Sequence, residues 1–173
     1  MSRVTHSKPT PCTVQIVEMQ DLTIRPARFG DLAAINRIYN EEIRVGLATW
    51  DIEPWTMDQR TVWFAGHDHL TPVLVAERGG ELVGFAYVTL MSQKAGWRFT
   101  REDTIYLDER FRGQGIGDAL LAALLEACGE VGVRLVVASI TSTNAASLRL
   151  HARYGFELVG ELKNAGHKFG QWH

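Results

Sequence analysis

The sequence predicts a single α/β domain built on a mixed central β-sheet flanked by about four helices. Three observations point there. Runs rich in Val, Ile, Leu and aromatic residues alternate with stretches whose apolar residues fall at helical spacing. Two strand-like runs are separated by Gly79-Gly80, a hairpin signal that calls for antiparallel pairing. A glycine-rich turn, Arg112-Gly113-Gln114-Gly115-Ile116-Gly117, leads from a further strand into an apolar helix.

Taken in order, residues 1–21 mix Ser, Thr, Pro and charge and form an N-terminal extension, in which Val14, Ile16 and Glu18 alternate as a candidate extra strand. The domain spans 22–173. Leu22 to Pro26 alternates as a short strand. Leu32, Ile35, Ile38, Tyr39 and Ile43 then fall on one helical stripe, with Asp31 placed to cap it. Thr56 and Gln59 have the spacing of a capping box ahead of a second helix carrying Val62, Trp63 and Phe64. Strands are expected at Thr71 to Glu77, Leu82 to Met91 and Thr104 to Leu107, then a helix over Ile116 to Cys128. A strand over Leu135 to Thr141, a helix over Asn144 to Tyr154 and a last strand over Phe156 to Leu162 complete the reading. No internal repeat divides the chain.

Composition narrows the function. The 173 residues are 46% hydrophobic and 22% charged, the usage of an ordinary globular domain with a real core. Eighteen Lys and Arg against twenty Asp and Glu leave a net charge of −2, so no global field draws the chain to nucleic acid or an anionic membrane. Apolar stretches are too short to span a bilayer, and no signal-peptide core opens the chain, which reads as cytoplasmic. Two cysteines, Cys12 and Cys128, support neither a disulfide framework nor a metal cluster. His67 and His69 lie in a polar stretch without a third ligand in view and read as surface residues, so no metal is expected.

The glycine-rich turn carries the most information. Glycines let backbone approach a ligand closely, and the N–H groups and dipole at a helix start favour negative charge, so a phosphate or pyrophosphate fits there. A P-loop would need Lys and then Ser or Thr, but Gly117 is followed by Asp118. A dinucleotide fingerprint counted from Gly115 would place its third glycine at Leu120, and the next strand offers no carboxylate for a ribose.

Arg112, Gly115 and Gly117 match the signature of the GNAT superfamily of acetyl-CoA-dependent N-acetyltransferases, which this sequence resembles. The resemblance also runs through Ile24-Arg25-Pro26-Ala27, Ile38-Tyr39-Asn40, the stretch Trp97 to Leu107 and Gly166-His167-Lys168-Phe169-Gly170. Together these look like the phosphinothricin acetyltransferase-like branch, from about residue 22 to the end. The resemblance implies a GNAT fold and acetyl-CoA as co-substrate. It also implies coenzyme A pyrophosphate on the backbone of Arg112, Gly113, Gln114, Gly115, Ile116, Gly117 and Asp118, and pantetheine against Ile105, Tyr106 and Leu107. A homodimer is expected from the same source.

Acetyl transfer from a thioester to an amine needs a neutral amine, a polarised carbonyl and a proton for the departing thiolate. By resemblance Glu102 is the general base, and a backbone N–H near Leu107 polarises the carbonyl. Asp103 falls on the opposite face of the strand from Glu102 and is set aside. Asn144, Ser147 and His151, at offsets zero, three and seven, share one helical face, which spacing alone leaves open as plain solvent-facing surface. The resemblance makes Asn144 and Ser147 coenzyme ligands and puts His151 where a proton donor or acceptor acts; Tyr154 is a second candidate acid. Cys128 lies on an apolar helical run and reads as a buried structural thiol, so no acyl-enzyme is proposed.

For the acceptor, the branch uses the loop Ala95, Gly96, Trp97 and Arg98 and the region of Trp50, since Arg grips carboxylates and Trp walls apolar groups. That points to the α-amine of a small amino-acid-like molecule such as phosphinothricin, methionine sulfoximine or methionine sulfone. Ser92 and Trp97 depart from the usual Arg and Tyr of this loop, and relatives usually continue beyond Trp172-His173 into a further strand. Two other readings follow from those departures: a coenzyme A-binding regulatory domain, or an acetyltransferase for a peptide or polyamine amine.

Overall fold

A computed structural model describes residues 21–173, so the candidate strand at Val14 to Glu18 and Cys12 lie outside the described residues. The elements are β1 (Leu22–Pro26), α1 (Leu32–Val45), α2 (Met57–Ala65), β2 (Val73–Arg78), β3 (Glu81–Leu90), β4 (Thr100–Leu107), α3 (Ile116–Glu130), β5 (Leu135–Ala138), α4 (Ala145–Arg153), β6 (His167–Lys168) and β7 (Gln171–Trp172). The main sheet runs β1-β2-β3-β4-β5, antiparallel except for the parallel β4–β5 pair. It is the mixed sheet that the alternating pattern predicts.

Each face of the sheet carries its own core because strand side chains alternate. On one face Leu32, Ile35, Ile38, Tyr39 and Ile43 of α1 pack on Val75, Phe85 and Tyr106. Burying each large side chain there contributes about 2 kcal/mol. On the other face α3 lays Ile116, Leu120, Leu124 and Cys128 on Leu74, Ala76, Val83, Ala86 and Val88. Burial also pushes the Cys128 thiol up to about 11, which keeps it neutral and inert.

Local signals behave as their chemistry requires. Gln59 N–H donates to Thr56 Oγ1 at 3.2 Å and Thr56 N–H to Gln59 Oε1 at 2.8 Å, which closes the capping box of α2. Gly79 and Gly80, at φ 56° and 81°, form the two-residue turn between β2 and β3. Asp31 stands at the start of α1 but does not cap it. Its carboxylate instead accepts from Arg28 N–H at 2.7 Å and from the Arg25 guanidinium at 2.8 and 2.9 Å. His67 is half-buried rather than on the surface, its ring packed between Trp63 and Tyr87 and its Nδ1 bonded to Trp63 O at 2.8 Å.

The expected last strand is absent: Phe156 to Leu162 has no strand pairing, and Leu158 and Val159 are 86% and 93% exposed. Apolar β-formers make a strand only beside a paired edge, and this segment has none. The chain instead makes a two-stranded hairpin, β6–β7, which turns at Phe169 and Gly170, both at positive φ. The strand at 135 also ends early, at Ala138 rather than Thr141, and that early end opens the site.

Candidate active site

The parallel pairing of β4 and β5 runs from Thr100–Leu135 to Asp103–Ala138 and stops. Past that point β4 continues to Leu107 while the chain after Ala138 turns away, so the outer edge of β4 faces a gap of about 140 Å³. Thr104, Ile105 and Tyr106 line it on one side, Ser139 and Thr141 on the other. Strand alternation then sorts the polar groups. Glu102 points to one mouth of the gap, where its Oε1 accepts a hydrogen bond from Ser139 Oγ. Asp103 points to the opposite face and is buried against α4.

There Asp103 Oδ2 lies 3.0 Å from His151 Nε2, in an ion pair whose side chains are both nearly fully buried. His151 Nδ1 faces the Ser147 carbonyl at 2.8 Å and the Ser147 hydroxyl at 3.3 Å. Burial alone would lower the His151 pKa, but Asp103 and the Ser147 carbonyl outweigh it and raise the value above that of an ordinary histidine. Asn144 caps α4 by accepting from Ser147 N–H at 3.1 Å. Asn144, Ser147 and His151, which spacing places on one helical face, thus all line the gap. Tyr154 lies at the end of α4, where its hydroxyl donates to Asp118 O at 3.0 Å and ties the helix to the start of α3.

The glycine-rich turn lies past the end of β4. Gly113 and Gly115 adopt φ 71° and 79°, and the space where a Cβ on Gly113 would stand is open. No side chain caps the N-terminus of α3, which begins at Ile116. Backbone N–H groups in this curl, with the helix dipole behind them, suit a pyrophosphate. Gln114 turns aside to Arg78 and Arg110 O, and Asp118 pairs with Arg153. Asp108, just before the turn, is anchored by Arg110 and Arg37; the Arg110 bonds above all hold its carboxyl well below the usual range, against a smaller opposing effect of burial.

Arg112 reaches back to α1, where its Nη2 meets Glu42 Oε2 at 3.1 Å. Glu42 Oε1 accepts from Ala48 N–H at 2.9 Å, so the glycine turn is linked to the loop after α1. Tyr106 Oη and Thr141 Oγ1 hold the same loop through Ala48 O and Leu47 O. Lys168 of β6 is buried and donates to Thr49 O at 2.9 Å. Trp50 packs against Gly166 and the His173 ring, so tightly that a Cβ on Gly166 would lie 2.5 Å from the indole. Ala95, Gly96 and Trp97 form a short turn ahead of β4, with Arg98 stacked on Phe99 at 4.3 Å. This turn and Trp50 stand outside the lining of the gap. Sequence reasoning set Asp103 aside, did not single out Glu42 or Ser139, and named Lys168 only within the motif that carries the resemblance; the alternation that turns Asp103 away from Glu102 was the advance signal for its placement.

A family model described as "Acetyltransferase (GNAT) family" matches residues 32–156. The chain belongs to the GNAT acetyltransferases. It is 40% identical over 152 residues to phosphinothricin N-acetyltransferase of Alcaligenes faecalis, covering 87% of this chain and 77% of that one. It is 38% identical to the L-methionine sulfoximine/L-methionine sulfone acetyltransferase of Pseudomonas paraeruginosa, covering 87% and 88%. In three dimensions it resembles a phosphinothricin acetyltransferase of Sinorhizobium meliloti solved with acetyl-CoA, at TM-score 0.83 and 36% identity, covering 88% and 83%. The acetyltransferase fold and acetyl-CoA as co-substrate follow from these likenesses. Among the described residues no helix is long and apolar enough to cross a membrane, and no group of three or more His, Cys, Asp or Glu side chains is placed to hold a metal.

Proposed function

We propose that this acetyltransferase moves an acetyl group directly to the α-amine of a small amino-acid-like acceptor of the phosphinothricin, methionine sulfoximine or methionine sulfone type. The observation that carries it is the gap beside β4, with the Glu102 carboxylate at one mouth and the His151 pair at the other. Acetyl-CoA, when bound, supplies the thioester. The chain supplies proton movements and alignment. Glu102 accepts the proton of the acceptor ammonium at a carboxylate oxygen, and the Ser139 hydroxyl orients that carboxylate. Backbone N–H groups along Ile105, Tyr106 and Leu107 hold the pantetheine and the carbonyl, Asn144 and Ser147 bind from α4, and the turn from Arg112 to Asp118 holds the pyrophosphate. The His151 side of the gap returns a proton to the thiolate. Trp50, Ala95, Gly96, Trp97 and Arg98 form the outer acceptor wall, where Arg98 pairs with a carboxylate. The working unit in this proposal is a cytoplasmic homodimer.

Product formation tests it. With acetyl-CoA and methionine sulfone, mass spectrometry should show N-acetylmethionine sulfone. Acetyl-CoA binding without acetylation of any α-amine would contradict the proposal and favour a coenzyme A-binding regulatory domain.

A further inference from the structure

We propose that Asp103, His151 and Ser147 form a proton relay that ends in the gap, with the Ser147 hydroxyl handing the proton to the departing thiolate. The proposal rests on the acetyl-transfer reading above and assigns the acid step to a hydroxyl, with His151 and Asp103 as positioning residues behind it.

The hydrogen bonds dictate the order. A carbonyl oxygen only accepts, so the 2.8 Å contact from Ser147 O places a proton on His151 Nδ1. The 3.0 Å contact with Asp103 Oδ2 then takes a second proton on Nε2, and the ring stands as an imidazolium facing a carboxylate. Both nitrogens are spent on protein acceptors, and the residue is only 5% exposed. The Ser147 hydroxyl lies 3.3 Å from Nδ1, and Ser147 lines the gap beside His151, so with both ring nitrogens engaged it is the hydroxyl next to the ring that offers a transferable proton.

Asp103 Oδ1 is buried with no hydrogen-bond partner among the described residues, so its carboxylate bonds the ring through Oδ2 alone. On the same face of β4, the buried Arg101 guanidinium is bonded to the carbonyls of Leu70, Arg98 and Thr100. Cys128 of α3 also approaches Asp103 and remains a neutral thiol. The Phe156 ring meets the imidazole edge-on at 4.9 Å and closes its far side. Glu102 stands on the other face of β4, so base and acid are separated by the strand itself.

The step balances. Ser147 Oγ–H passes its proton to the thiolate sulfur as His151 Nδ1–H passes its own to Oγ, which leaves CoA-SH, an intact serine and a neutral ring still donating Nε2–H to Asp103. The ring reloads from solvent through the same hydroxyl. No electrons change hands.

The first readout is the imidazole nitrogen spectrum of the full chain near neutral pH, with the His151 signals assigned by their loss in His151→Gln. Both nitrogens should carry protons in the wild type, and only Nδ1 in Asp103→Asn. The second is kinetic. At saturating acetyl-CoA, Ser147→Ala should lower kcat by about a hundredfold with KM for the acceptor held, and Ser147→Thr, which keeps the hydroxyl, should recover most of the loss. In Asp103→Asn the fall of kcat at high pH should begin at lower pH, because the acid form of the ring is lost sooner. A neutral His151 ring in an active wild type, or unchanged kcat in Ser147→Ala, would overturn the relay and leave the acetyl-transfer reading standing. The spectrum is read without turnover, so the two ideas fail separately.

Discussion

Glu102 and Asp103 are neighbours on β4 that serve opposite sides of the sheet: Glu102 is held by Ser139 at one mouth of the gap, while Asp103 is buried in a 3.0 Å pair with His151 at the other. Strand alternation thus turns the two carboxylates to opposite faces of β4, beside the edge where β5 departs. In the proposed mechanism the acceptor amine and the leaving thiolate meet the chain from those two sides.

If Glu102 is the base, Glu102→Gln keeps size and the bond to Ser139 but cannot take a proton. Turnover should fall by about a hundredfold or more, with acetyl-CoA affinity by calorimetry unchanged. An unchanged rate would remove Glu102 from the chemistry.

Gly84 of β3 fixes how closely β4 approaches. A Cβ there would lie 2.5 Å from Leu107 Cδ2 and 3.0 Å from Tyr106 O. Gly84→Ala should therefore destabilise the fold by about 1–3 kcal/mol, read from the denaturant midpoint. Its midpoint matching the wild type would show that β4 yields freely.

The link from the glycine turn to the loop after α1, which the proposed function gives to the acceptor, passes through Glu42, which bonds Arg112 and Ala48 N–H at once. Glu42→Ala should raise the KM for the acceptor several-fold, because Leu47 to Trp50 lose an anchor, with a smaller change in kcat. Steady-state kinetics at saturating acetyl-CoA checks this, and equal KM values would mean that Tyr106 and Thr141 suffice to hold the loop.

Acid stability should depend on Asp108, whose pKa is depressed in the folded chain, chiefly by Arg110 and then by Arg37. A depressed carboxylate adds stability above its unfolded pKa of about 3.9 and loses it as pH falls through the range below. Asp108→Asn should cost about 1–3 kcal/mol at neutral pH, and the gap from wild type should close in acid. Parallel denaturation curves across pH test this. For His151 the sign reverses: its raised pKa adds stability that is complete below about pH 6.5 and is lost as pH rises through the folded value.

The sheet, its hairpin and the two helical stripes were legible because each rests on local chemistry: the Gly79-Gly80 turn, the Thr56–Gln59 box, and the spacing of Leu32 to Ile43. The unpaired segment Phe156 to Leu162 was not legible. Its composition is that of a strand, and whether a strand forms depends on a neighbouring edge that local pattern does not report. In the site, the shared face of Asn144, Ser147 and His151 could be read from helical spacing. Asp103 could not be recognised as the partner of His151, since 48 residues separate them and only the fold brings α4 under β4. Glu42, Ser139 and Lys168 are likewise products of tertiary placement, each making its contact across distant segments.

The most direct test of acetyl transfer to a small α-amine is free-thiol release from acetyl-CoA by the purified protein, measured against methionine sulfoximine, methionine sulfone, phosphinothricin, common amino acids, polyamines and a peptide. The account predicts release that depends on the amino-acid-like acceptors, with kcat/KM highest for one of the first three. Release stimulated only by polyamine or peptide, or by no acceptor although acetyl-CoA binds, would contradict it.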